Sequence, residues 1–493
     1  MFRLWRGVFL LFIITIIYFN LFFLGNKKVI IAYYPYLLGV SGLLGLSLVG
    51  MYFTDNLSFI FKLLFILFFL FGIFSFVQTW RNKGLLNNYY IEREQYLKQL
   101  TEVAKTDTED SLADDREDGI SKLIERTSGL ALTTNNKAKA IFKEEDIFAE
   151  MLAQLKEAKD HIHICFYIIR DDRIGEKLKK LLIEKARDGV EVRVIYDKLG
   201  SLQLGQNYKE ELEEVGIEIK AYNSLVTSLL RGKLNHRNHR KNLIVDGKVA
   251  FIGDVNLGDE YVTGNKRESI QVKIKGEAVS WMQKVFLIDW HYITGKKILS
   301  DRYFSQYDEK EGVAIQLITT GFDTPWSGMN KHYFALITAA QKEIYLVTPY
   351  LILNDNILTA LQTAALKGVD VNVVVSKETD NLLLSWANMS FFEELLKVGV
   401  TIYHYQDEFL HSKMLVVDEQ ILSLGSANFN MRSLYLDYEL NVVFFNQDFS
   451  KKIMEEIALN LEQSKRYELE DYQQLENWDR VKLLIGRLLA PII

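Results

Sequence analysis

Two histidines in this chain each have a lysine two residues on and an aspartate seven residues on: His239, Lys241 and Asp246, then His411, Lys413 and Asp418. Side chains two apart on a strand face the same way, so each imidazole shares a face with an ammonium. An imidazole changes charge near neutral pH and can attack a centre, give a proton or take one. An ammonium is a compact charge that offsets an anion beside it. Together they suit group transfer at an anionic centre such as a phosphodiester. Asp246 and Asp418 complete each catalytic triplet but sit at opposite parity, beside the turns "DGK" and "DEQ". There a carboxylate serves the turn and the strand end.

The two triplets are in register within a larger repeat. His239 and His411 lie 172 residues apart, Gly253 and Gly425 each follow their histidine by 14, and Asn256 and Asn428 each follow by 17. Glu268 follows His239 by 29 and Glu439 follows His411 by 28. Upstream, "HIHICFYII" reads as a strand, "GEKLKKLLIEKARDG" as a helix, and "VEVRVIYD" and "GIEIKAYN" as further strands. "EIYLVTPYLI", "LTALQTAALKG", "VDVNVVVSK" and "GVTIYHYQ" repeat that order, with Gly189 matching Gly368 and Gly216 matching Gly399. A single triplet among eight histidines is a weak signal; two at equivalent places in a duplicated α/β unit are strong.

Length and composition set the frame. At 493 residues with 49% hydrophobic content the chain supports two or three domains and a large core. A single cysteine, Cys165, excludes an intrachain disulfide and a cysteine-rich zinc site, and its apolar setting predicts a buried small hydrophobe. A net charge of −6 argues against non-specific nucleic-acid coating, which needs a broad cationic surface. Phe9 to Leu24, Val29 to Phe53 and Leu57 to Trp80 are each apolar for about the length that crosses a ~30 Å hydrocarbon layer. Residues 1–82 therefore read as a membrane anchor of two to three helices, in a multi-pass protein of the cell membrane. The flanking Arg and Lys lean toward a cytoplasmic body. Residues 83–141, with the acidic run "DTEDSLADDRED", read as a solvated linker. The folded halves are expected at 142–310 and 311–493, the latter ending in the amphipathic tail "WDRVKLLIGRLLAPII", which can lie at a bilayer surface or pack on the body.

The duplicated triplet resembles the signature of the phospholipase D superfamily. Within it, "YIIRDDRIGEKL", "NHRNHRKNLIVDGKVAFIG", "NLGDEY", "DTPWSGM", "TPYLILND" and "FLHSKMLVVD" resemble the bacterial cardiolipin synthases, from about Phe142 to the C-terminus. The resemblance implies an α/β fold of two duplicated halves sharing one active site, preceded by transmembrane helices. It implies that His239 is the nucleophile, forming a phosphohistidine, and that His411 is the acid and base. Lys241 and Lys413 would hold non-bridging oxygens, with Asn256, Asn428 and Ser426 binding the phosphate, and no metal or other cofactor is required. Glu268 and Glu439 would each accept the second ring proton of a histidine and fix its tautomer.

One departure stands out. The family pattern is Gly-Gly-x-Asn or Gly-Ser-x-Asn, as in "GSAN" at Gly425 to Asn428, whereas the first half reads "GDVN". An inward-pointing Asp254 would repel an anionic substrate by several kcal/mol at low effective dielectric. Asn242 places a polar group where an apolar strand residue is expected. His236 reads as a surface imidazole beside a basic loop, and His161 and His163 as packed strand residues. Tyr167 and Tyr350 fall at matching strand ends. Arg231, Lys233, Arg237, Arg240 and Lys241 form a basic segment expected to draw phosphatidylglycerol and other anionic phospholipids. The reading is a phosphatidyltransferase joining two phosphatidylglycerols into cardiolipin and glycerol. A hydrolytic phospholipase D, a nuclease of the same superfamily and a non-catalytic lipid-binding protein are the alternatives.

Overall fold

The computed structural model describes residues 89–490, apart from 106–111, 223–235, 262–266, 308–311, 322–323, 325, 378, 380 and 407–408. The three apolar runs of the N-terminus lie outside the described residues. Among the described residues no helix is long and apolar enough to cross a membrane.

The repeat read from sequence is a repeat of structure. In the first half the strands are β1 (Asn136–Ile141), β2 (His161–Phe166), β3 (Glu191–Asp197), β4 (Glu218–Tyr222), β5 (Asn242–Val245), β6 (Val249–Gly253), β7 (Arg267–Glu268) and β8 (Gln271–Gly276). The second half has β9 (Ala314–Thr320), β10 (Glu343–Thr348), β11 (Asp370–Ser376), β12 (Thr401–Tyr405), β13 (Phe409–Leu410), β14 (Met414–Val417), β15 (Ile421–Gly425), β16 (Glu439–Phe445) and β17 (Ser464–Tyr467). The sheet orders are β1-β8-β6-β5-β2-β3-β4 and β17-β12-β11-β10-β14-β15-β16-β9. Reversing the second and setting aside β17 superposes the two orders strand for strand. In each, β2-β3-β4 or β10-β11-β12 run parallel and the remaining pairs are antiparallel.

Local chemistry explains the matching parts. The parallel strands are β-branched and buried on both faces, as covered parallel sheets require. Their crossover helices, Arg173–Arg187 and Asp355–Leu366, start at Asp172 and Asn354, whose side chains accept backbone N–H groups of the first turn. Gly189 and Gly368, at φ +90° and +92°, end those helices in a conformation costly for a residue with a Cβ. The hairpins β5–β6 and β14–β15 turn through Asp246 and Asp418, both at φ +54°, a region aspartate tolerates better than most residues.

Helix Ala278–Thr294 is apolar almost all round and buried from Ala278 to Trp290. Such a helix needs cover on every side. It finds it against β4, β5, β6 and β8 of one sheet and β9 of the other, which joins the halves into one body. That body, residues 90–225 and 236–491, is one compact unit.

The expected linker is partly folded. Residues 89–104 are helical, with Tyr96, Leu97 and Leu100 buried. The acidic run supplies the start of helix Asp115–Ser128: Asp114 accepts from the N–H of Arg116 and Glu117, and Asp115, Glu117 and Asp118 occupy the first turn. Carboxylates are stabilised at that end by the helix dipole and the open N–H groups, so the charges that suggested disorder begin a helix. β1 then joins the first sheet against β8. The C-terminal tail forms helix Asn477–Leu489, which buries Leu483 and Gly486. A side chain at Gly486 would strike the backbone of Trp386 and Ala387, so the tail packs closely on helix Leu382–Met389.

Candidate active site

The motif histidines stand just before β5 and β14, where short pairings between the halves fix them. His239 N–H donates to the carbonyl of Tyr438 at 2.9 Å, and Tyr438 N–H to the carbonyl of Arg237 at 2.8 Å. This bridge brings the next residue, Glu439, to the imidazole. Its carboxylate oxygens lie 3.0 and 3.1 Å from Nδ1 of His239. In the other half β13 pairs with β7, and His411 N–H donates to the Glu268 carbonyl at 2.8 Å. Each histidine therefore rests on backbone from the opposite half.

Glu439 is fully buried and multiply held. Ser426 Oγ donates to it at 2.5 Å and Ser433 Oγ at 2.6 Å. Burial alone would raise its carboxyl above the ordinary value, but His239, Lys241 and the Ser426 hydroxyl bring it net below. His239 is shifted down, first by burial and then by Lys241, against the opposing pull of Glu439. The result favours a neutral ring whose Nδ1–H is fixed on the carboxylate and whose Nε2 lone pair is free to attack.

The lysines follow the same plan. Lys241 Nζ donates to the His239 carbonyl at 2.6 Å, and Lys413 Nζ to the His411 carbonyl at 2.5 Å. Both are buried. Burial pushes the Lys241 ammonium down to about 7, and Lys413 is among the charges that depress it further. The two ammonium groups thus lie within each other's field, a site prepared for an anion.

Aromatic rings line the histidines. Tyr167 meets His239 edge to face at 4.8 Å, and Lys241 Nζ lies 5.4 Å from the same ring. Tyr261 meets His411 at 5.7 Å. The bridges Ile169 to Leu257 and Leu351 to Phe429 align Pro349, not Tyr350, with Tyr167. The buried Tyr350 lies 6.3 Å from Phe409. Asn256 gives its amide to Tyr261 Oη at 2.5 Å and accepts from Ile168 N–H at 3.2 Å. Asn428 is buried, and its Oδ1 has no hydrogen-bond partner among the described residues. Ser426, expected at the phosphate, lies beneath Glu439 instead.

Other assignments shift. Asp246 and Asp418 stand at the opposite end of their strands from the histidines. Asp246 accepts N–H groups of Lys159, Asp160 and His161, and Asp418 those of Gln341, Lys342 and Glu343. Their work is to tie the hairpin to the loop entering β2 or β10. Glu268 gives His411 its main-chain carbonyl, and strand register does not align it with Glu439. Asp254 points inward and is fully buried, with Oδ1 3.7 Å from Nδ1 of His411. Burial raises its carboxyl to about 6, opposed by Lys413 and Lys241, so its charge is countered rather than presented bare to a substrate.

His236 is buried, not a surface imidazole. Arg240 belongs to no lipid-facing patch: it is 2% exposed, pairs with Asp289 and donates from Nε to the Glu439 carbonyl at 3.2 Å. Lys241 is inside the site, and Arg231 and Lys233 lie outside the described residues. Asn242 is buried in β5, its amide without a partner among the described residues. His161 and His163 are packed as expected, His163 stacking on Phe286 at 4.3 Å. Cys165 is buried and free.

Three residues escaped the sequence reading. Asp197 ends β3 and accepts the N–H of Asn238 at 2.9 Å, holding the segment that carries His239; burial raises its carboxyl to about 6. Ser376, ending the matching β11, accepts from Leu410 N–H at 3.2 Å. Their shared place at paired strand ends was the available signal. Ser433 had none. Among the described residues no group of three or more His, Cys, Asp or Glu is placed to hold a metal ion.

Comparison with known proteins agrees with this geometry. Residues 151–290 and 333–459 match the family described as "Cardiolipin synthase, PLD-like domain". The chain is 38% identical over 380 residues to a cardiolipin synthase of Geobacillus sp. (strain WCH70), covering 76% of this chain and 75% of that one. It is 35% identical over 367 residues to the major cardiolipin synthase ClsA of Bacillus subtilis (strain 168), covering 73% and 76%. Among solved structures, the phosphatidylserine synthase of Haemophilus influenzae Rd KW20 shares the fold, with a TM-score of 0.57 at 14% identity over 75% of this chain and 96% of that one. With both halves matched and each histidine seated on the opposite half, the chain belongs to the cardiolipin synthase family of phospholipase D-like proteins.

Proposed function

We propose that the protein transfers a phosphatidyl group from one phosphatidylglycerol to the terminal hydroxyl of a second, giving cardiolipin and glycerol. The observation that carries this is His239, held at Nδ1 by Glu439, with buried Lys241 and Lys413 supplying positive charge of the kind an anionic phosphorus centre needs. His239 Nε2 attacks phosphorus, the P–N bond forms and the P–O bond to glycerol breaks, while His411 gives its proton to the departing oxygen. The incoming lipid hydroxyl then gives a proton to His411 and attacks phosphorus, and the P–N bond breaks. Lys241 and Lys413 offset charge on the non-bridging oxygens in both steps.

The lipid comes from a bilayer, to which the apolar runs of residues 1–82 anchor the chain as a multi-pass membrane protein. An exposed apolar face supports contact at the body as well. Trp478, Leu484 and Leu488 of the C-terminal helix are 67%, 70% and 59% exposed, beside Leu382 at 71%. The helix carrying Leu382 adjoins the site, because Asn388 accepts the N–H of Leu351, which bridges to Phe429 next to Asn428. An interfacial helix with an apolar outer face fits a lipid surface.

The test is expression in cells lacking cardiolipin, with lipid extraction, comparing the intact protein with His239→Ala and His411→Ala. Cardiolipin from the intact protein and none from either inserted variant is the expected result. Labelled phosphatidylglycerol turned into phosphatidic acid alone would make the enzyme a hydrolase and sink the transferase reading.

A further inference from the structure

The two half-sites hold their carboxylates in exchanged places. In the second half β15 and β16 pair Gly425 with Asn441, and Ser426 N–H donates to the Leu440 carbonyl at 3.1 Å. In the first half β6 and β8 pair Gly253 with Gln271, and Asp254 N–H donates to the Ile270 carbonyl at 3.1 Å. Asp254 is thus the register partner of Ser426, and Ser269, not Glu268, is the register partner of Glu439. Where the second half has a hydroxyl on the loop and an acid on the strand, the first has an acid on the loop and a hydroxyl on the strand. In the second half the two members touch, Ser426 donating to Glu439; in the first, Ser269 is buried next to Asp254, its hydroxyl making no hydrogen bond among the described residues.

The acids face matching targets. Glu439 reaches Nδ1 of His239 across the boundary between the halves, and Asp254 lies 3.7 Å from Nδ1 of His411 across the same boundary. Asp254 is held by Ile270 N–H at 3.2 Å to each carboxylate oxygen, and Lys413 and Lys241 supply the nearby positive charge. A catalytic hydrogen bond is often long in an empty site and shortens when substrate binds. We infer that Asp254 is the positioning residue of His411, and that with Ser269 it replaces, in exchanged places, the serine–glutamate pair that positions His239.

This inference rests on the proposed acid and base role of His411, and its test separates the two. Full-length protein in phosphatidylglycerol vesicles is assayed as wild type, Asp254→Ser, and the double variant Asp254→Ser with Ser269→Glu, which rebuilds the second half's arrangement. The single change is expected to lower kcat by about 100-fold, within the range of a lost acid–base alignment, and to move the alkaline limb of the pH–rate profile to lower pH. The double variant recovers at least about tenfold of that loss and returns the limb, an effect that no purely structural role of Asp254 produces. A single variant within threefold of wild type, or a double variant no better than the single with both melting like wild type, overturns the inference.

A measurement without turnover completes the test and also covers a poorly folding serine variant. In histidine-labelled protein, the isosteric Asp254→Asn is expected to lower the pKa of the His411 imidazole by about one unit, as loss of a nearby opposite charge does. An unmoved His411 resonance titration sinks the inference even if the wild type makes no cardiolipin, the outcome that would count against the proposed function alone.

Discussion

Nδ1 of His239 and Oε1 of Glu439 lie 3.0 Å apart, though 200 residues of chain and the boundary between two repeats separate them. Glu439 is the better oriented of the two acids, with both serine hydroxyls and the imidazole satisfying its oxygens. Glu439→Gln keeps the shape but can present an amide N–H to the ring, favouring the wrong tautomer. The expected loss in kcat is about 10²- to 10⁴-fold with a smaller change in KM, measured with labelled phosphatidylglycerol. A variant retaining a tenth of wild-type kcat would remove the tautomer argument.

Burial of Lys241 works against the fold. Its ammonium titrates near 10.4 in an unfolded chain but about 7 in the native protein. A group with a depressed native pKa leaves stability intact above its unfolded pKa and erodes it as pH falls toward the native one. Lys241→Met is therefore expected to be inactive yet more stable than wild type, by about 1 kcal/mol or more at pH 7 in urea unfolding. The gap narrows as pH rises toward 10. A methionine variant less stable than wild type at pH 7 contradicts this.

The turn aspartates give the opposite pattern. Each collects three backbone N–H groups on a hairpin remote from the imidazoles. Asp246→Ala and Asp418→Ala are expected to cost about 1–3 kcal/mol each, as three backbone donors lose their acceptor, while kcat per folded molecule stays within twofold. Calorimetry together with active-site titration checks both numbers.

Arg240 and Asp289 form a pair in which both side chains are under 5% exposed. Removing one partner strands the other's charge, so Arg240→Met is expected to destabilise by about 3–5 kcal/mol, and Arg240→Met with Asp289→Leu by clearly less. Because Arg240 Nε also holds the Glu439 carbonyl, the single variant should lose activity before it loses its fold. Urea titration followed by both activity and circular dichroism reads the two midpoints.

Much of the architecture was legible because repetition is visible without coordinates. Gly189 with Gly368 and Gly216 with Gly399 mark equivalent turns, and all four have φ near +90°. The histidine and lysine pairs were legible for the same reason. The orienting acid of His411 was not. Counting residues from His239 to Glu268 runs through a connection whose length does not set strand register; the hydrogen bonds of β6 with β8 do, and they bring Ser269 to that place. The basic segment misled at Arg240 and Lys241, because charge alone does not report burial: Arg240 has Asp289 to pair with, from a helix 49 residues on. The acidic run misled in reverse, since carboxylates that repel in a free chain become favourable at a helix start.

Since His239 needs Glu439, an emerging polypeptide has no finished centre while its first repeat alone has left the ribosome. The imidazole of His239 meets the carboxylate that holds its ring only once the second repeat has been made as far as β16. A truncated product ending between the repeats therefore carries His239 with no Glu439 to hold its ring.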